Sequence, residues 1–154
     1  MYAICIESSH KRGMGHLFRM LNFIELLKVK HEKFIVLINN DFKAISILKE
    51  KSLIYEIVEL DDFNSLWEIE IINKYGIIVW INDRLNTDIE HVKTIKSKRV
   101  PLITFDDRGS GAKEADINVS GLLFGDETIN GRIILKGIDY LILNPEIANY
   151  KSFK

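Results

Sequence analysis

The stretch HKRGMGHLFRML, residues 10–21, combines two glycines one residue apart with a histidine directly after them. A glycine-rich turn that opens a helix presents unpaired backbone N–H groups, which attract phosphates, sugars and other oxygen-rich ligands. Gly13 and Gly15 are expected to allow positive φ and a close approach of the backbone to such a ligand. The spacing therefore predicts a phosphate or sugar pocket at this turn.

His16 falls in the first turn of the predicted helix, where the positive end of the helix dipole disfavours an imidazolium. We therefore expect a neutral ring that accepts a proton, and we predict that His16 is a general base for a water or an acceptor hydroxyl. The alternative is a structural histidine that caps its own helix or bonds a neighbouring loop. Arg19, three residues later, is predicted either to steady a phosphate or a carboxylate such as Glu7, or to be a solvent-exposed helix arginine.

Two common phosphate motifs fit this turn poorly. The dinucleotide fingerprint needs a third glycine where this chain has Phe18, and an acidic residue after the second strand where it has Asn39, with Asp41 two places later. A ring at Phe18 is expected to push the helix away from the strand, so a nicotinamide reductase ranks last and no cofactor is predicted. The Walker pattern fails because no Gly-Lys-Ser or Gly-Lys-Thr follows.

The elements that position these residues alternate along the chain. Short β-branched runs predict strands over residues 2–6, 33–38, 54–58, 76–81 and 100–105. Helical spacing of apolar residues between them predicts four helices, on Leu17, Met20, Leu21, Ile24 and Leu27; Phe42, Ile45, Ile47 and Leu48; Leu66, Ile69 and Ile72; and Ile89, Val92 and Ile95. Short strands at residues 115–120 and 132–137, joined by a loop over 121–131, follow. The pattern predicts a doubly wound, mostly parallel Rossmann-like sheet with helices on both faces, whose ligands bind beyond the carboxyl ends of the strands.

Acidic residues end two of the predicted strands. Asp106 and Asp107 either accept hydrogen bonds from sugar hydroxyls, hold a divalent cation, or form a turn in which Asp107 accepts backbone N–H groups ahead of Gly109 and Gly111. The turn is favoured for Asp107, and no metal is predicted because no further ligand cluster lies beside these residues. The segment Asn82–Arg84 either faces a ligand or closes a loop with an Asp–Arg pair.

The composition narrows the class of protein. The chain has 154 residues, with 21 basic and 22 acidic ones, so its charge gives no reason to expect a nucleic acid partner. The single cysteine, Cys5, favours a reducing, cytoplasmic location, and no apolar run reaches the roughly 18 residues of a membrane span. Trp67 and Trp80 are predicted in the core, and His31 and His91 are predicted to be solvated.

The segment GMGHLFRMLNFIELL resembles the opening of the pseudaminic acid pathway UDP-sugar hydrolases and their spore-coat polysaccharide relatives, in the GT-B glycosyltransferase-like superfamily. The segments VWINDR, LITFDD, ADINVS and GIDYLILNPEI resemble later segments of that family in the same order, over nearly the whole chain. The resemblance implies one half of a GT-B arrangement. Residues 1–145 would form its N-terminal Rossmann-like domain and residues 146–154 a tail or the start of the interdomain crossing.

Site residues also follow from this resemblance. It implies that His16 activates water for attack on the anomeric carbon of a UDP-sugar, with UDP as the leaving group. The predicted substrate-binding residues are Gly13, Gly15, Arg19, Glu7, Asp83 (or Asn82 in its place), Asp106, Asp107, Asn118 and Tyr140. Asn144 and Ile147 depart from the family pattern of arginine and phenylalanine, so no role is predicted for that segment.

The family continues into a second domain that supplies most contacts to uridine and diphosphate. We therefore expect this chain to be incomplete without such a domain, in cis or in trans, and to be inactive alone. The predicted function is nucleotide-sugar processing, as a UDP-sugar hydrolase or glycosyltransferase of surface polysaccharide or nonulosonic acid biosynthesis. The alternative is a non-catalytic sugar- or nucleotide-binding module of the same fold.

Overall fold

The computed structural model describes residues 1–8, 14–121, 129–144 and 146–147. Within these residues a single sheet of seven strands has the order β3-β2-β1-β4-β5-β6-β7, and every neighbouring pair is parallel. The strands are β1 (Tyr2–Ile6), β2 (Phe34–Ile38), β3 (Tyr55–Ile57), β4 (Val79–Asp83), β5 (Leu102–Phe105), β6 (Ile117–Ser120) and β7 (Ile133–Lys136). The helices are α1 (Gly15–Val29), α2 (Phe42–Glu50), α3 (Trp67–Tyr75) and α4 (Ile89–Ser97), with single 3-10 turns at Ala112–Glu114 and Ile138–Tyr140.

Each face of the sheet carries its own hydrophobic core. Alternate residues of β1 point to opposite faces, so Ile4 and Ile6 pack with α1 and α2, whereas Ala3 and Cys5 pack with α3 and α4. The five apolar residues whose spacing predicted α1 are all buried. The predicted α/β fold with helices on both faces is confirmed, and the two short strands after Asp106 join the same sheet as β6 and β7.

The fourth strand begins later than the sequence indicates. The apolar run was predicted as a strand from Gly76, but Gly76 ends α3 in the left-handed conformation, with φ of 59°. The N–H of Ile77 still donates to the C=O of Ile72 at the end of that helix, so the strand begins only at Val79. The shift places Asn82 and Asp83 inside β4 rather than after it.

Two apolar residues of the predicted helical faces lie outside the core. Phe42 is the first residue of α2 and Leu66 precedes α3 as its N-cap, and both are exposed. Helix ends extend past the packed surface, so Ala44 and Trp67 fill the corresponding core positions instead.

The environment of His91 differs from the one predicted from the sequence. It was predicted to be solvated because it lies between Glu90 and Lys93, but its side chain is fully buried beneath α4. The charged neighbours point outward, where Lys93 pairs with Glu90, while His91 occupies the inner face of the helix.

The strand order places a crevice beside β1. The chain runs outward from β1 to β2 and β3 on one side, and β4 to β7 continue on the other, so the direction of the sheet reverses between β1 and β4. Ile6 and Asp83 are partners in this register, so the carboxyl ends of β1 and β4 lie level with each other. Open parallel sheets bind ligands at such a switch point.

Candidate functional site

A histidine and a buried carboxylate meet at this switch point. His16 is the second residue of α1, in the first turn as the sequence predicts, and Asp83 is the last residue of β4. Nδ1 of His16 lies 2.6 Å from Oδ1 of Asp83, with a side-chain exposure of 25% for the histidine and 0% for the aspartate. An ionised carboxylate only accepts hydrogen bonds, so this contact assigns the ring proton to Nδ1.

The hydrogen bond that His16 donates to Asp83 raises the pKa of His16 above its usual range, and it outweighs burial and the positive charge of Arg19, which lower that pKa. The sequence argument expected the positive end of the helix dipole to disfavour the imidazolium. That expectation is wrong for the pKa of His16, because the hydrogen bond to Asp83 favours the imidazolium and has the largest effect. Nε2 of His16 has no hydrogen-bond partner among the described residues. In the neutral ring this nitrogen carries the lone pair, so the dyad presents a basic atom.

Arg19 lies one turn along α1 and joins the same carboxylate. Its Nε and Nη2 donate to Oδ2 and Oδ1 of Asp83 at 2.8 and 2.6 Å, and its Nη1 donates to Oδ2 of Asp106. Arg19 therefore steadies carboxylates, as one of the two predictions proposed, but these belong to Asp83 and Asp106 rather than to Glu7. Burial alone would lower the pKa of Arg19, but the hydrogen bonds to both aspartates raise it.

Asp106 connects this cluster to the neighbouring strand. Its Oδ1 accepts a hydrogen bond of 2.8 Å from the hydroxyl of Ser120, the last residue of β6. Asp106 has a φ of 48°, a left-handed conformation that aspartate tolerates better than most residues. Sequence reasoning missed Ser120, because a serine that ends a short strand carries no distinguishing motif.

The ambiguity between Asn82 and Asp83 is resolved by the alternation of the strand. Asp83 points to the α1 face, whereas Asn82 lies on the opposite face and accepts a 2.8 Å hydrogen bond from Nε1 of Trp80. Arg84 pairs with Asp61 at 3.2 Å, and Asp83 pairs with Arg19 at 2.6 Å. These two longer-range pairs replace the Asp–Arg pair that was one of the two alternatives for this segment.

Asp107 and Asn118 build the loop after β5. Oδ1 of the buried Asp107 accepts the N–H groups of Thr87 and Gly109, each at 2.9 Å, which is the turn that the sequence favours. The N–H of Gly111 instead donates to the C=O of Thr87. Burial raises the pKa of Asp107 despite these bonds. The amide of Asn118 donates to the C=O groups of Asp107 and Asn130 at 3.0 and 2.7 Å.

The remaining predicted residues are spread around this edge. The N–H of Glu7 donates to the C=O of Asp83 at 3.2 Å, and the charge of Glu7 acts on His16. Gly15 begins α1 without the positive φ that was expected, and a Cβ there would meet nothing within 4 Å. Gly13 lies outside the described residues. Tyr140 lies in the 3-10 turn after β7, partly exposed, and the structure gives it no contact with His16.

Phe18 does not have the effect that the sequence argument assigned to it. Its side chain is 54% exposed, and the buried residue in this turn is Leu17. The ring therefore does not press between α1 and the sheet, and the argument from crowding against a dinucleotide site was wrong.

A cavity of about 450 Å³ lies beyond the carboxyl ends of β1, β2 and β3 and adjoins the dyad through Glu7. Its lining is polar, with Ser8 and Asn39 beside carboxylates such as Asp61. Among the described residues, no group of three or more His, Cys, Asp or Glu side chains is placed to hold a metal ion. None of the described helices combines the length and the apolar character that crossing a bilayer requires.

Comparisons with known proteins identify the fold through solved structures. No protein-family model and no curated protein sequence matches this chain. Acinetobacter baumannii MurG is 9% identical, with a TM-score of 0.63 over 84% of this chain and 44% of its own. A glycosyltransferase from Rickettsia africae ESF-5 is 13% identical, with a TM-score of 0.66 over 88% of this chain and 42% of its own.

The Anabaena protein Alr3699/HepE, solved in complex with UDP, is 13% identical, with a TM-score of 0.54 over 77% of this chain and 37% of its own. This chain thus spans less than half the length of each of these matched structures. At identities this low, the superpositions show a shared fold alone. The seven parallel strands and their helices form an α/β Rossmann-like domain that matches one half of a GT-B glycosyltransferase.

Proposed function

We propose that this chain is the N-terminal half of a nucleotide-sugar-processing protein, a UDP-sugar hydrolase or a glycosyltransferase, in which His16 is the general base. The observation that carries the proposal is the 2.6 Å contact between His16 Nδ1 and Asp83 Oδ1 at the switch point of the sheet. The HepE structures, which hold UDP in one case and UDP with glucose in the other, support a ligand of this class.

The geometry supports a simple proton transfer. Asp83 holds the proton of His16 on Nδ1, so that Nε2 removes a proton from a water or a sugar hydroxyl. The oxygen of that nucleophile bonds to the anomeric carbon while the bond from this carbon to the UDP oxygen breaks, and UDP leaves with the electron pair. Asp83 then stabilises the imidazolium, as a carboxylate does beside a catalytic histidine.

The pairing of Arg19 favours a diphosphate site in another domain. Arg19, whose Nη2 lies 3.5 Å from Nδ1 of His16, is already paired with the carboxylates of Asp83 and Asp106. We therefore assign most diphosphate contacts to a second domain, in cis or in trans. Among the described residues, no side chain caps the N–H groups at the start of α1 and no atom lies within 4 Å of a Cβ built at Gly15, which leaves room for the sugar end of the substrate.

The other predicted residues take roles around this reaction. Glu7 and Asp106 remain proposed contacts to sugar hydroxyls, while Asp107 and Asn118 support the loop that carries Asp106. Gly13 and Tyr140 remain proposed substrate contacts. We assign the reaction to the cytoplasm and to surface polysaccharide or nonulosonic acid biosynthesis, with residues 1–145 as the domain and 146–154 leading toward its partner half.

The experiment compares UDP release from UDP-sugars by this chain, supplied with its second domain, for the wild type, His16→Ala and His31→Asn. His31 lies exposed after α1 with a φ of 57°, a conformation that asparagine also adopts, so it serves as the matched control. We expect His16→Ala to lower kcat by roughly 10²–10⁴-fold and the control to retain the wild-type rate. Equal rates for His16→Ala and the wild type would exclude the base role.

A non-catalytic binding module of the same fold makes a different prediction in the same experiment. It would be stabilised by UDP or a UDP-sugar in a thermal melt, and the wild type would release no UDP. Stabilisation by NAD alone would instead favour the nicotinamide-dependent reductase.

A further inference from the structure

Each of the three guanidinium nitrogens of Arg19 donates to a carboxylate. Nε and Nη2 form a two-point pair with Asp83, and Nη1 reaches Asp106. A planar guanidinium in such a pair fixes the orientation of the carboxylate, which a single ammonium does not. The ring of Phe105 lies against the same group, with its centroid 5.4 Å from Cζ of Arg19.

Two donors converge on one oxygen of Asp83. Oδ1 lies 2.6 Å from Nδ1 of His16 and also 2.6 Å from Nη2 of Arg19. The two nitrogens are 3.5 Å apart, so the positive charge of Arg19 lies beside the ring. The carboxylate that orients the histidine is therefore shared with the arginine.

We propose that Arg19 is a positioning residue for His16, because its guanidinium fixes the Asp83 carboxylate and shares the oxygen that holds Nδ1. The support extends across the sheet, since Asp106 anchors Arg19 and Ser120 anchors Asp106. Groups that orient a functional histidine through its carboxylate set both the ring geometry and its basicity. The inference deepens the proposed function, but the protonation of His16 is measurable without turnover.

The sign of the expected change follows from the charges that face His16. Asp83 from β4 and Glu7 after β1 favour the imidazolium, whereas Arg19 from α1 disfavours it. Asp106, after β5, pairs with Arg19. Without the charge of Arg19, the charged groups of the described residues that act on His16 would be the carboxylates of Asp83 and Glu7, and His16 would keep Asp83 Oδ1 to itself, so its pKa would rise.

The test is an NMR titration of His16 in the full chain, with its signal assigned by its loss in His16→Gln. We expect Arg19→Gln to raise the pKa of His16 by about one unit, and Arg19→Lys to return it toward the wild-type value because the charge is restored. Lys28→Gln removes a cation from the exposed face of the same helix, where Lys28 pairs with Glu25, and should leave the pKa unchanged.

An unchanged or lowered pKa in a folded Arg19→Gln variant would overturn the proposal. If that variant does not fold, Asp106→Asn is used in its place. This substitution removes one of the two carboxylates that compensate the charge of Arg19, so the pKa of His16 should fall. A constant pKa in Asp106→Asn would also overturn the proposal. Where UDP release is measured, the acidic limb of its pH profile should move to higher pH in Arg19→Gln. A shifted titration without any UDP release would leave the positioning role intact and exclude the proposed reaction.

Discussion

Two histidine–carboxylate pairs with the same contact distance lie on opposite faces of the sheet. Nδ1 of His16 is 2.6 Å from Asp83, and Nδ1 of His91 is 2.6 Å from Glu68. The pKa of His16 is raised mainly by its hydrogen bond to Asp83, whereas the pKa of His91 is lowered because burial outweighs its hydrogen bond to Glu68. The distance alone therefore does not decide whether such a pair is suited to acid–base chemistry.

The surroundings of the two rings explain the difference. His91 is enclosed by Trp67 and Trp80, with ring centroids 5.5 and 5.6 Å away, and its Nε2 lies 3.4 Å from Oδ1 of Asn82. Both nitrogens of His91 thus face groups inside the core. The ring of His16 is partly exposed and only its Nδ1 is held by a carboxylate. The pair of His91 and Glu68 is therefore enclosed in the core, whereas the pair of His16 and Asp83 is partly exposed at the edge of the sheet.

The largest expected effect separates the two histidines by activity. His91→Gln should retain UDP release in those molecules that stay folded, whereas His16→Gln should lower kcat by roughly 10²–10⁴-fold, because only His16 presents an accessible nitrogen. Rates are compared after correction for the folded fraction measured by circular dichroism. Equal losses in both variants would contradict the division of roles.

The loss of unfolding free energy should have the opposite order, with the larger loss at His91 and the smaller at His16. His91→Leu leaves the buried carboxylate of Glu68 without its partner, and breaking a buried pair in this way costs about 3–5 kcal/mol of unfolding free energy. Urea denaturation measures this loss, and adding Glu68→Leu should recover part of it. His16→Leu, at the partly exposed site, should cost less. A larger loss at His16 would reverse the comparison.

Asp83→Asn tests which charge controls the protonation of His16. An amide lacks the negative charge that favours the imidazolium, so the pKa of His16 should fall by about one unit or more in an NMR titration. The matched substitution Asp88→Asn, at the N-cap of α4, should leave that pKa unchanged. A constant pKa in Asp83→Asn would show that Asp83 does not control the protonation of His16.

The smallest effect is the pH dependence of stability, which should have opposite signs for the two rings. A lowered pKa means that the unfolded chain binds more protons, so the stabilisation from His91 is present above about pH 6.5 and decreases as the pH falls. A raised pKa means that the stabilisation from His16 is present below about pH 6.5 and is lost as the pH rises through the folded-state value. Urea melts of His16→Gln and His91→Gln between pH 5 and pH 8 would measure both trends.

The sequence predicts the alternation of strands and helices well, because apolar periodicity is a local property. It also places His16 correctly in the first turn of α1, since the glycines mark where that helix begins. The start of β4 was not predictable to the residue, because Gly76 could belong either to the strand or to the preceding helix cap. The one-residue ambiguity between Asn82 and Asp83 came instead from matching sequence segments, and only the strand register shows that Asp83 lies level with Ile6.

The side-chain partners were not predictable for a different reason. Arg19 meets Asp83 and Asp106 across 64 and 87 residues of sequence, and His91 meets Glu68 across 23. Local composition gave the wrong environment for His91, because its charged neighbours occupy the outer face of α4 while the ring faces inward. Only the folded sheet brings these pairs together.

The distance along the chain between Arg19 and its two aspartates has a consequence for assembly. The polar cluster joins the first helix to the ends of β4, β5 and β6, so it is complete only when α1 has packed against these three strands. Contacts of such wide sequence separation form late in folding because their loops are costly to close. The titration of His16 would therefore serve as a reporter of whether α1 has docked against β4, β5 and β6.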